Sequence, residues 1–327
     1  MWFNKLKLIG VVKNNQLGQR LDQTAAQLFA NFSRSRLKKW LLDGKVQING
    51  SVVTKPRTKV VNGEVITVQV EFEDKLSYQA QEIPLNIIYE DDDLLIIDKP
   101  RDFVVHPGAG VSNGTMLNAL LHYYPDIIKV PRAGIIHRLD KNTTGLLVVA
   151  KNMLAHSYLT QALQRRNITR EYEAIAVGRV VSSGKIEGAI SRHSIKRTLM
   201  AINPMGKYAV THYRVVEHFR EYTRVFLRLE TGRTHQIRVH MSYLQHPLLG
   251  DIAYGAKIRM PQGVSQELSE MIRSFDRQAL HARMLTLQHP TTKEVLKFYA
   301  PLPSDISSIV KAFREDVKLN CSEVKCK

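Results

Sequence analysis

The amino-acid sequence predicts an α+β fold divided into two domains. Its 327 residues, 44% of them hydrophobic, can build more than one sizeable core. Residues 1–50 carry nine Lys and Arg against two acids, whereas residues 71–98 carry nine acids against one Lys. Because this change in charge indicates a boundary, we expect a first domain at residues 1–75, a linker at residues 76–85 and a second domain at residues 86–327.

The first domain is predicted to form two helices followed by short strands. The apolar stripe of the first helix consists of Leu21, Ala25, Leu28 and Phe32. The stripe of the second helix consists of Leu37, Trp40 and Leu41. Asn-Gly pairs at residues 49–50 and 62–63 are typical of tight turns, and they frame strands such as VITVQV.

The second domain is predicted to contain a largely antiparallel mixed sheet. Its strand-like runs are LLIID, GLLVVA, EYEAIAVG and RVFLRLE, and its clearest helical runs are MLNALLHYY and LAHSYLTQALQRR. Strand and helix do not alternate regularly along the chain. A doubly wound parallel sheet is therefore not expected.

Composition narrows the classes of partner. The net charge of +17 indicates a polyanion, and nucleic acid is favoured over a membrane because no basic amphipathic helix stands out. No apolar run is long enough to cross a bilayer or to serve as a secretory signal, so we expect a cytoplasmic protein without a membrane partner. The two cysteines, Cys321 and Cys326, lie in a polar C-terminal tail, which argues against a disulfide framework or a zinc site.

No motif for a cofactor is present. The glycine-containing stretch GAGVSNG (residues 108–114) follows a His-Pro pair and lacks the Lys-Ser/Thr pair of a phosphate loop. The acidic stretch EDDD (residues 90–93) lies between two apolar runs, where a solvated turn is expected instead of a metal site. We therefore predict neither a nucleotide cofactor nor a metal.

One carboxylate stands in an unusually basic segment. HRLDKNTTGLLVVAK (residues 137–151) places Asp140 between Arg138 and Lys141, directly ahead of an apolar strand. A carboxylate beside cationic groups stays ionised in a partly dry pocket, where it can act as a nucleophile or a base. The alternative is a loop aspartate that only balances the neighbouring charges.

Two further blocks contain candidate site residues. In RLETGRTHQIRVHM (residues 228–241), a helix starting near Thr234 would offer Arg238, whose guanidinium suits bidentate orientation of a carboxylate. In REYEAIAVG (residues 170–178), Tyr172 could stack on an exposed base and exchange a proton, or it could be an ordinary core aromatic.

The second predicted helix carries basic residues on the faces that its apolar stripe leaves free. They are Arg34, Arg36, Lys38 and Lys39. These side chains could form a plain solvated face or contact phosphates. The surrounding stretch QRLDQTAAQLFANFSRSRLKKWLLDGKVQINGSVV, with KVVNGEVITV after it, resembles the alpha-L RNA-binding domain over residues 17–75, and this resemblance implies RNA contact.

Several blocks occur together in one order. They are HRLDKNTTGLLVVAK, REYEAIAVG, GKYAVTHY and LETGRTHQIRVHMSYLQHPLLGD. Over residues 84–305 the chain resembles the RluA group of pseudouridine synthases, which implies isomerisation of uridine without a metal or cofactor. NQLGQRLDQ, NALLHYYP, NPMGK and FDRQALHA are most similar to D-type members of the group. That similarity implies 23S ribosomal RNA or a large-subunit precursor as partner and uridines of the helix 69 loop as target.

The resemblance also implies roles for individual residues. Asp140 would be the catalytic aspartate, Arg238 its ion-pair partner and Tyr172 the residue that packs on the target base and removes the C5 proton. Arg138 would occupy the gap left by the flipped nucleotide. The remaining pocket-lining positions would be Lys207 and Leu229.

Other functions are compatible with part of the sequence. The same chemistry could act at another large-subunit site, or the basic surface could belong to a non-catalytic RNA-binding assembly factor. A methyltransferase would need a methyl-donor loop, and none is visible in the sequence.

Overall fold

The computed structural model describes residues 4–29, 32, 34–72, 78–108 and 110–325. The chain separates into two compact units, residues 1–77 and residues 78–327. Residues 76 and 77 of the predicted linker, and Cys326, lie outside the described residues.

The described part of the predicted linker belongs to the second unit by its contacts. Tyr78, Ile83 and Leu85 pack against that unit's core. The backbone N–H of Gln81 also donates to the carbonyl of Asn118, 3.0 Å away. This segment is therefore an extended arm of the second unit.

The first unit is an antiparallel sheet covered by two helices. Its strands are β1 (Asn4–Val11), β2 (Val46–Ile48), β3 (Ser51–Val52) and β4 (Val65–Phe72), in the spatial order β1-β4-β2-β3. Its helices are α1 (Leu21–Leu28) and α2 (Arg34–Leu42). Both predicted helices are present.

The predicted apolar stripes form the core of this unit. Leu21, Leu37 and Leu41 are at most 1% exposed and pack against strand β4 residues such as Ile66. Phe32, which the spacing assigned to the first helix, lies beyond the end of α1 and packs edge-on against the ring of Trp40. The first helix is therefore shorter than its apolar pattern suggested.

The Asn-Gly pair at residues 49–50 forms the predicted turn. Both residues have positive φ angles, 50° and 84°, and together they make a two-residue loop between β2 and β3. These angles fit a type I′ hairpin, in which glycine at the second position avoids a steric clash.

The prediction of helices before strands was wrong at the N-terminus. Strand β1 precedes both helices and pairs with β4 along its whole length, from Asn4 opposite Phe72 to Val11 opposite Val65. Its partner lies some sixty positions later in the chain, so no local pattern marked it as a strand.

The second unit is built on a nine-stranded sheet. Its strands are β5 (Ile87–Glu90), β6 (Leu94–Lys99), β7 (Thr144–Ala150), β8 (Thr169–Val177), β9 (Gly184–Glu187), β12 (Val210–His218), β13 (Tyr222–Leu229), β14 (Leu280–Gln288) and β15 (Val295–Tyr299). A separate pair consists of β10 (Ile190–Arg192) and β11 (Met200–Ile202). The order is β5-β6-β7-β14-β8-β13-β12-β9, with β15 beside β14. Among the described strands, β7 and β14 alone pair in parallel, which confirms the predicted largely antiparallel mixed sheet.

Helices cover both faces of this sheet. They are α3 (Met116–Tyr123), α4 (Met153–Gln164), α5 (Gln236–Tyr243), α6 (Gln266–Ser274) and α7 (Ser304–Lys325). Within the described ranges, no helix has both the length and the apolar character needed to span a bilayer.

Strand β7 shows why the sheet needs two covering layers. Alternate side chains point to opposite faces of a strand. Leu147 and Val149 join the cluster that includes α3 and α5, whereas Leu146 and Val148 join the cluster that includes α4. Burial on both faces explains the unbroken apolar run GLLVVA.

The C-terminal segment is a helix, which corrects its interpretation as a polar tail. Four apolar residues of α7 are at most 3% exposed, and they follow the i, i+3, i+4, i+7 spacing of a core-facing helix. They are Ile306, Ile309, Val310 and Phe313. The ring of Phe313 stacks on Phe219 and Tyr222 with centroid separations of 5.1 Å and 4.7 Å.

Phe313→Ala should lower the free energy of unfolding by about 3–5 kcal/mol, because it empties a stacked aromatic position in the core. The control is Leu319→Ala, at a residue of α7 that is 65% exposed. That change should alter stability by about 0.5 kcal/mol or less. Chemical denaturation followed by far-UV circular dichroism measures both. Equal midpoints for the two variants would mean that α7 does not contribute to the core.

Candidate active site

The loop before strand β7 holds Asp140 in a fixed backbone conformation. The N–H of Thr143 donates to the Asp140 carbonyl, 3.0 Å away. The ammonium of Lys99 donates to the Lys141 carbonyl at 2.8 Å and to two carbonyls within residues 100–103. Lys99 is fully buried, and burial lowers its pKa to about 7. The sequence analysis did not identify Lys99, although a lysine ending an apolar strand was a visible signal.

Helix α5 brings Arg238 to this loop. Its Nη1 donates to Asp140 Oδ2 at 3.3 Å, so the predicted pair of residues is brought together. Arg238 does make the bidentate contact with a carboxylate that its residue type suggested, but the partner in that contact is not Asp140. The two short hydrogen bonds of the guanidinium, 2.7 Å from Nε and 2.8 Å from Nη2, go to the buried Asp251.

Asp251 is a site residue that the sequence analysis missed. It lies in HPLLGD, at the end of a block that was noted, but thirteen residues after Arg238 and outside any helical spacing. Burial alone would lower the pKa of Arg238, but the hydrogen bonds and charge of Asp251 and the charge of Asp140 raise it above its ordinary value. Arg238 is therefore a permanent cation at the site.

Two aromatic side chains complete the surroundings of Asp140. The guanidinium carbon of Arg238 lies 4.7 Å from the ring centre of Tyr254. The Tyr254 hydroxyl is hydrogen-bonded to His235 Nδ1 at 2.7 Å, and His235 Nε2 lies 3.8 Å from Asp140 Oδ1. Burial lowers the pKa of His235, so its ring is neutral at pH 7. Neither residue was predicted, and each lies in a separate loop or helix start.

Five of the predicted residues line one cleft of about 720 Å³. They are Arg138, Asp140, Tyr172, Leu229 and Arg238. Tyr172 is 5% exposed, and burial raises the pKa of its phenol. Arg138 is exposed at the cleft, whereas Leu229 is buried at the end of β13.

Lys207 does not lie with these residues. It is exposed in the segment before β12, and its backbone exchanges hydrogen bonds with Ile190. It is not among the residues that line the cleft. No residue of the block GKYAVTHY lines the cleft, and the block instead holds Gln236 of helix α5 through the Val210 carbonyl and the Thr211 hydroxyl.

The cleft is predominantly basic. Its arginines are Arg132, Arg138, Arg166, Arg170, Arg233 and Arg238, and its carboxylates are Asp140 and Glu230. Such a concentration of positive charge attracts a polyanion, and the walls of a cleft strengthen the effect.

The acidic stretch at residues 90–93 forms a braced turn. Asp91 Oδ1 accepts from the backbone N–H groups of Asp93 and Leu94, each at 2.8 Å. Asp91 Oδ2 accepts from the hydroxyl of Tyr89 at 2.7 Å. This turn joins β5 to β6 and lies outside the cleft.

On helix α2 the four basic residues differ in their surroundings. Arg34 forms a 2.8 Å ion pair with the buried Asp22. Arg36 lies 5.1 Å from the ring centre of Trp40. The remaining two, Lys38 and Lys39, are exposed.

Comparison with known proteins identifies the family. The sequence model described as RNA pseudouridylate synthase matches residues 93–243, and the S4 domain model matches residues 19–66. A relative from Vibrio parahaemolyticus, "Ribosomal large subunit pseudouridine synthase D", is 68% identical over 314 residues, which cover 96% of this chain and 97% of the relative. A relative of the same name from Escherichia coli K12 is 55% identical over 320 residues, 98% of either chain.

The chain belongs to the RNA pseudouridylate synthase family. The structure of human RNA pseudouridylate synthase domain containing 4 is similar to this pseudouridine synthase with a TM-score of 0.55 and 25% identity. That similarity covers 70% of this chain and 93% of the human chain. Both resemblances predicted from the sequence, to the synthase group and to the small RNA-binding domain, are confirmed.

Asp251→Asn should lower the turnover of this pseudouridine synthase about 100-fold, because Arg238 loses the charged partner that orients it. Arg238→Ala should abolish turnover. Both variants should keep RNA affinity within a few fold, since neither change removes an exposed cation from the RNA-facing surface. Single-turnover kinetics and a separate binding titration make the distinction. Wild-type turnover of Asp251→Asn would remove the buried ion pair from the machinery of the site.

Proposed function

We propose that this pseudouridine synthase is a cytoplasmic enzyme that isomerises uridines of large-subunit (23S) ribosomal RNA, in the helix 69 loop. The observation that carries the chemistry is Asp140, a carboxylate held 3.3 Å from a fixed guanidinium inside a basic cleft. The choice of RNA rests on relatives that carry the large-subunit name and are up to 68% identical to this chain. The helix 69 loop rests on the sequence resemblance to D-type enzymes.

The target uridine must leave its stack before the enzyme can reach the glycosidic bond. Extruding a base costs a few kcal/mol and costs least for an unpaired base, which favours a uridine in a loop. Arg138, exposed at the mouth of the cleft, is suited to occupy the space that the uridine leaves in the RNA.

Asp140 then breaks the bond between C1′ and N1. In one route its carboxylate attacks C1′ and uracil departs as an anion. In the other it removes the 2′ proton while uracil departs. Either way uracil turns within the cleft. In the first route C5 of the turned uracil attacks C1′ and displaces the Asp140 carboxylate. In the second route C5 adds to C1′ of the glycal while Asp140 returns the proton to C2′. In both routes C5 then loses its proton, N1 gains one, and the pyrimidine ring is restored.

The contacts of Asp140 suit both routes. Asp140 Oδ2 accepts a hydrogen bond from Arg238 Nη1, 3.3 Å away. Asp140 Oδ1 lies 3.8 Å from Nε2 of His235, whose ring is neutral. Oδ1 is therefore the oxygen available to the ribose. The second carboxylate, Asp251, is saturated by the same arginine and does not compete.

Tyr172 is suited to pack on the uracil ring. Because burial raises its pKa, the free enzyme holds the neutral phenol. A neutral phenol can take the C5 proton only if it passes its own proton on. Asp140, whose charge acts on Tyr172, is the nearby group that could receive it. Leu229 supplies an apolar part of the cleft wall, on the same face of the sheet as Tyr172.

The S4 domain is proposed to contact the RNA backbone through helix α2. Lys38 and Lys39 carry this part of the proposal, because their side chains extend into solvent. Arg34 and Arg36 are already engaged within the domain and would contribute less.

Tritium release from C5-labelled uridine tests the chemistry. Wild-type protein should release tritium from 23S ribosomal RNA or from large subunits that lack pseudouridine. Asp140→Ala should reduce the release by more than about 10,000-fold, as expected when a catalytic nucleophile is lost. Asp126→Ala, a change at an exposed carboxylate outside the cleft, should retain it. No release by the wild type on either substrate would favour a non-catalytic assembly factor.

Reversing the charges of Lys38 and Lys39 to Glu should weaken RNA binding. It should also flatten the slope of log affinity against log salt concentration by about 0.7–0.9 for each lost phosphate contact. The control is the double variant Lys257→Glu/Lys311→Glu, which makes the same change in charge at two exposed lysines of the second unit. If both double variants change the slope equally, helix α2 has no specific role in RNA binding.

A further inference from the structure

Arg170 is a cation buried in the wall of the cleft. It lies on strand β8, two residues before Tyr172, lines the cleft and is 7% exposed. Among the described residues, no carboxylate oxygen lies within 4.0 Å of its guanidinium, and its Nε has no hydrogen-bond acceptor. Two other arginines of the cleft do have carboxylate partners. Arg238 pairs with Asp251, and Arg166 pairs with Glu230.

A second buried donor faces the same region. His137 Nε2 accepts the backbone N–H of Val148 at 3.1 Å, so the proton of the neutral ring resides on Nδ1. That Nδ1 is buried and has no acceptor among the described residues. Burial, followed by the charge of Arg170, lowers the pKa of His137 to about 3, which keeps the ring neutral.

The turn at residues 231–232 leaves space for the guanidinium. A Cβ added to Gly232 would lie 2.8 Å from Arg170 Nη1, closer than two such atoms can approach. Glycine at this position therefore lets the turn pass over Arg170 without displacing it. The guanidinium consequently remains at the wall of the cleft, which His137 also lines.

Uncompensated donors of this kind are costly in an enclosed site. A buried charge without a partner destabilises a protein, and an unpaired buried N–H adds to that cost. The group that satisfies both is an anionic oxygen acceptor. A guanidinium fork matches the two oxygens of a phosphodiester, whereas a uracil carbonyl supplies an acceptor but no charge.

We propose that Arg170 and His137 form a subsite for a phosphodiester group of the RNA strand beside the flipped uridine. This subsite rests on the proposed function, since it needs an RNA strand in the cleft. Its role is positioning: Arg170 anchors the backbone two residues from Tyr172, so the base enters the cleft in a set orientation. Asp140 remains the group that reacts.

The experiment removes phosphate charges one at a time. A hairpin RNA containing the target uridine is made with a neutral methylphosphonate at each single position around that uridine. Binding constants and single-turnover rates are measured for wild type and Arg170→Met. For the wild type, a methylphosphonate at one position should lower the affinity for the hairpin about 10–100-fold, which is the effect of losing one charged hydrogen bond. Arg170→Met should bind unmodified RNA more weakly than the wild type by a similar factor. A methylphosphonate at that one position should not weaken the binding of this variant any further.

Two variants keep the test decisive. Arg179→Met removes an exposed arginine just beyond the opposite end of strand β8, and it should show the wild-type pattern at every position. Arg170→Lys keeps the positive charge but lacks the planar guanidinium. A methylphosphonate at the same position should therefore lower the affinity of this variant, but by less than it lowers that of the wild type. This variant carries the test if Arg170→Met fails to fold.

The outcomes separate this subsite from the overall function. The subsite would be overturned if a methylphosphonate at each position lowered the affinity of the wild type and of the Arg170 variants equally. It would also be overturned if no single position lowered the affinity of the wild type. If Arg170→Met lowered the affinity by the same factor on unmodified RNA and on every substituted RNA, Arg170 would be assigned to a contact with the base instead. A wild type that binds the hairpin but makes no pseudouridine in any RNA would contradict the proposed function, while the binding data would still test the phosphate contact.

Discussion

The sharing of one guanidinium between two carboxylates is the interaction on which the site depends. Asp251 is buried and receives two short hydrogen bonds from Arg238, which fixes the plane of the guanidinium. Asp140 receives the remaining contact, at the longer distance of 3.3 Å. Because the Arg238–Asp251 pair is already neutral, the charge of Asp140 is only partly balanced, and one of its oxygens stays open to the cleft. The two carboxylates thus differ in their share of a single cation, and the proposed reactive group is the one that this cation holds less closely.

This arrangement requires elements that are distant in sequence to meet within tenths of an ångström. The loop before β7 supplies Asp140, helix α5 supplies Arg238, and the segment after α5 supplies Asp251. Strand β7 is buried on both faces, so the loop that precedes it starts from a rigid support. Lys99 ties that loop to the end of β6 through carbonyl hydrogen bonds. A rigid scaffold of this kind reduces the reorganisation needed when the substrate arrives.

The positive charge of the chain is divided between structural and available cations. In the first unit Arg34 is held by Asp22, while Lys38 extends into solvent. In the second unit Arg238 is held by carboxylates, while Arg170 is buried and meets no carboxylate in the part of the chain that the structure describes. The net charge of +17 therefore does not show which of the 47 Lys and Arg side chains are free to meet a polyanion. What matters for binding is which cations have no partner within the protein.

The sequence by itself determined the fold class, five of the seven α-helices that the structure describes, the five strands β4, β6, β7, β8 and β13, the Asn-Gly turn and, through the family resemblance, the candidate pair Asp140 and Arg238. These follow from local periodicity, turn chemistry and the order of motifs, all of which can be read along the chain. Tertiary structure alone decided that β1 completes the first sheet and that α7 closes the second core, since both depend on partners far away. It also decided that Asp251 takes the bidentate contact and that Lys207 lies outside the cleft. Spacing identifies a charged residue, but the partner of that charge is set by packing in three dimensions.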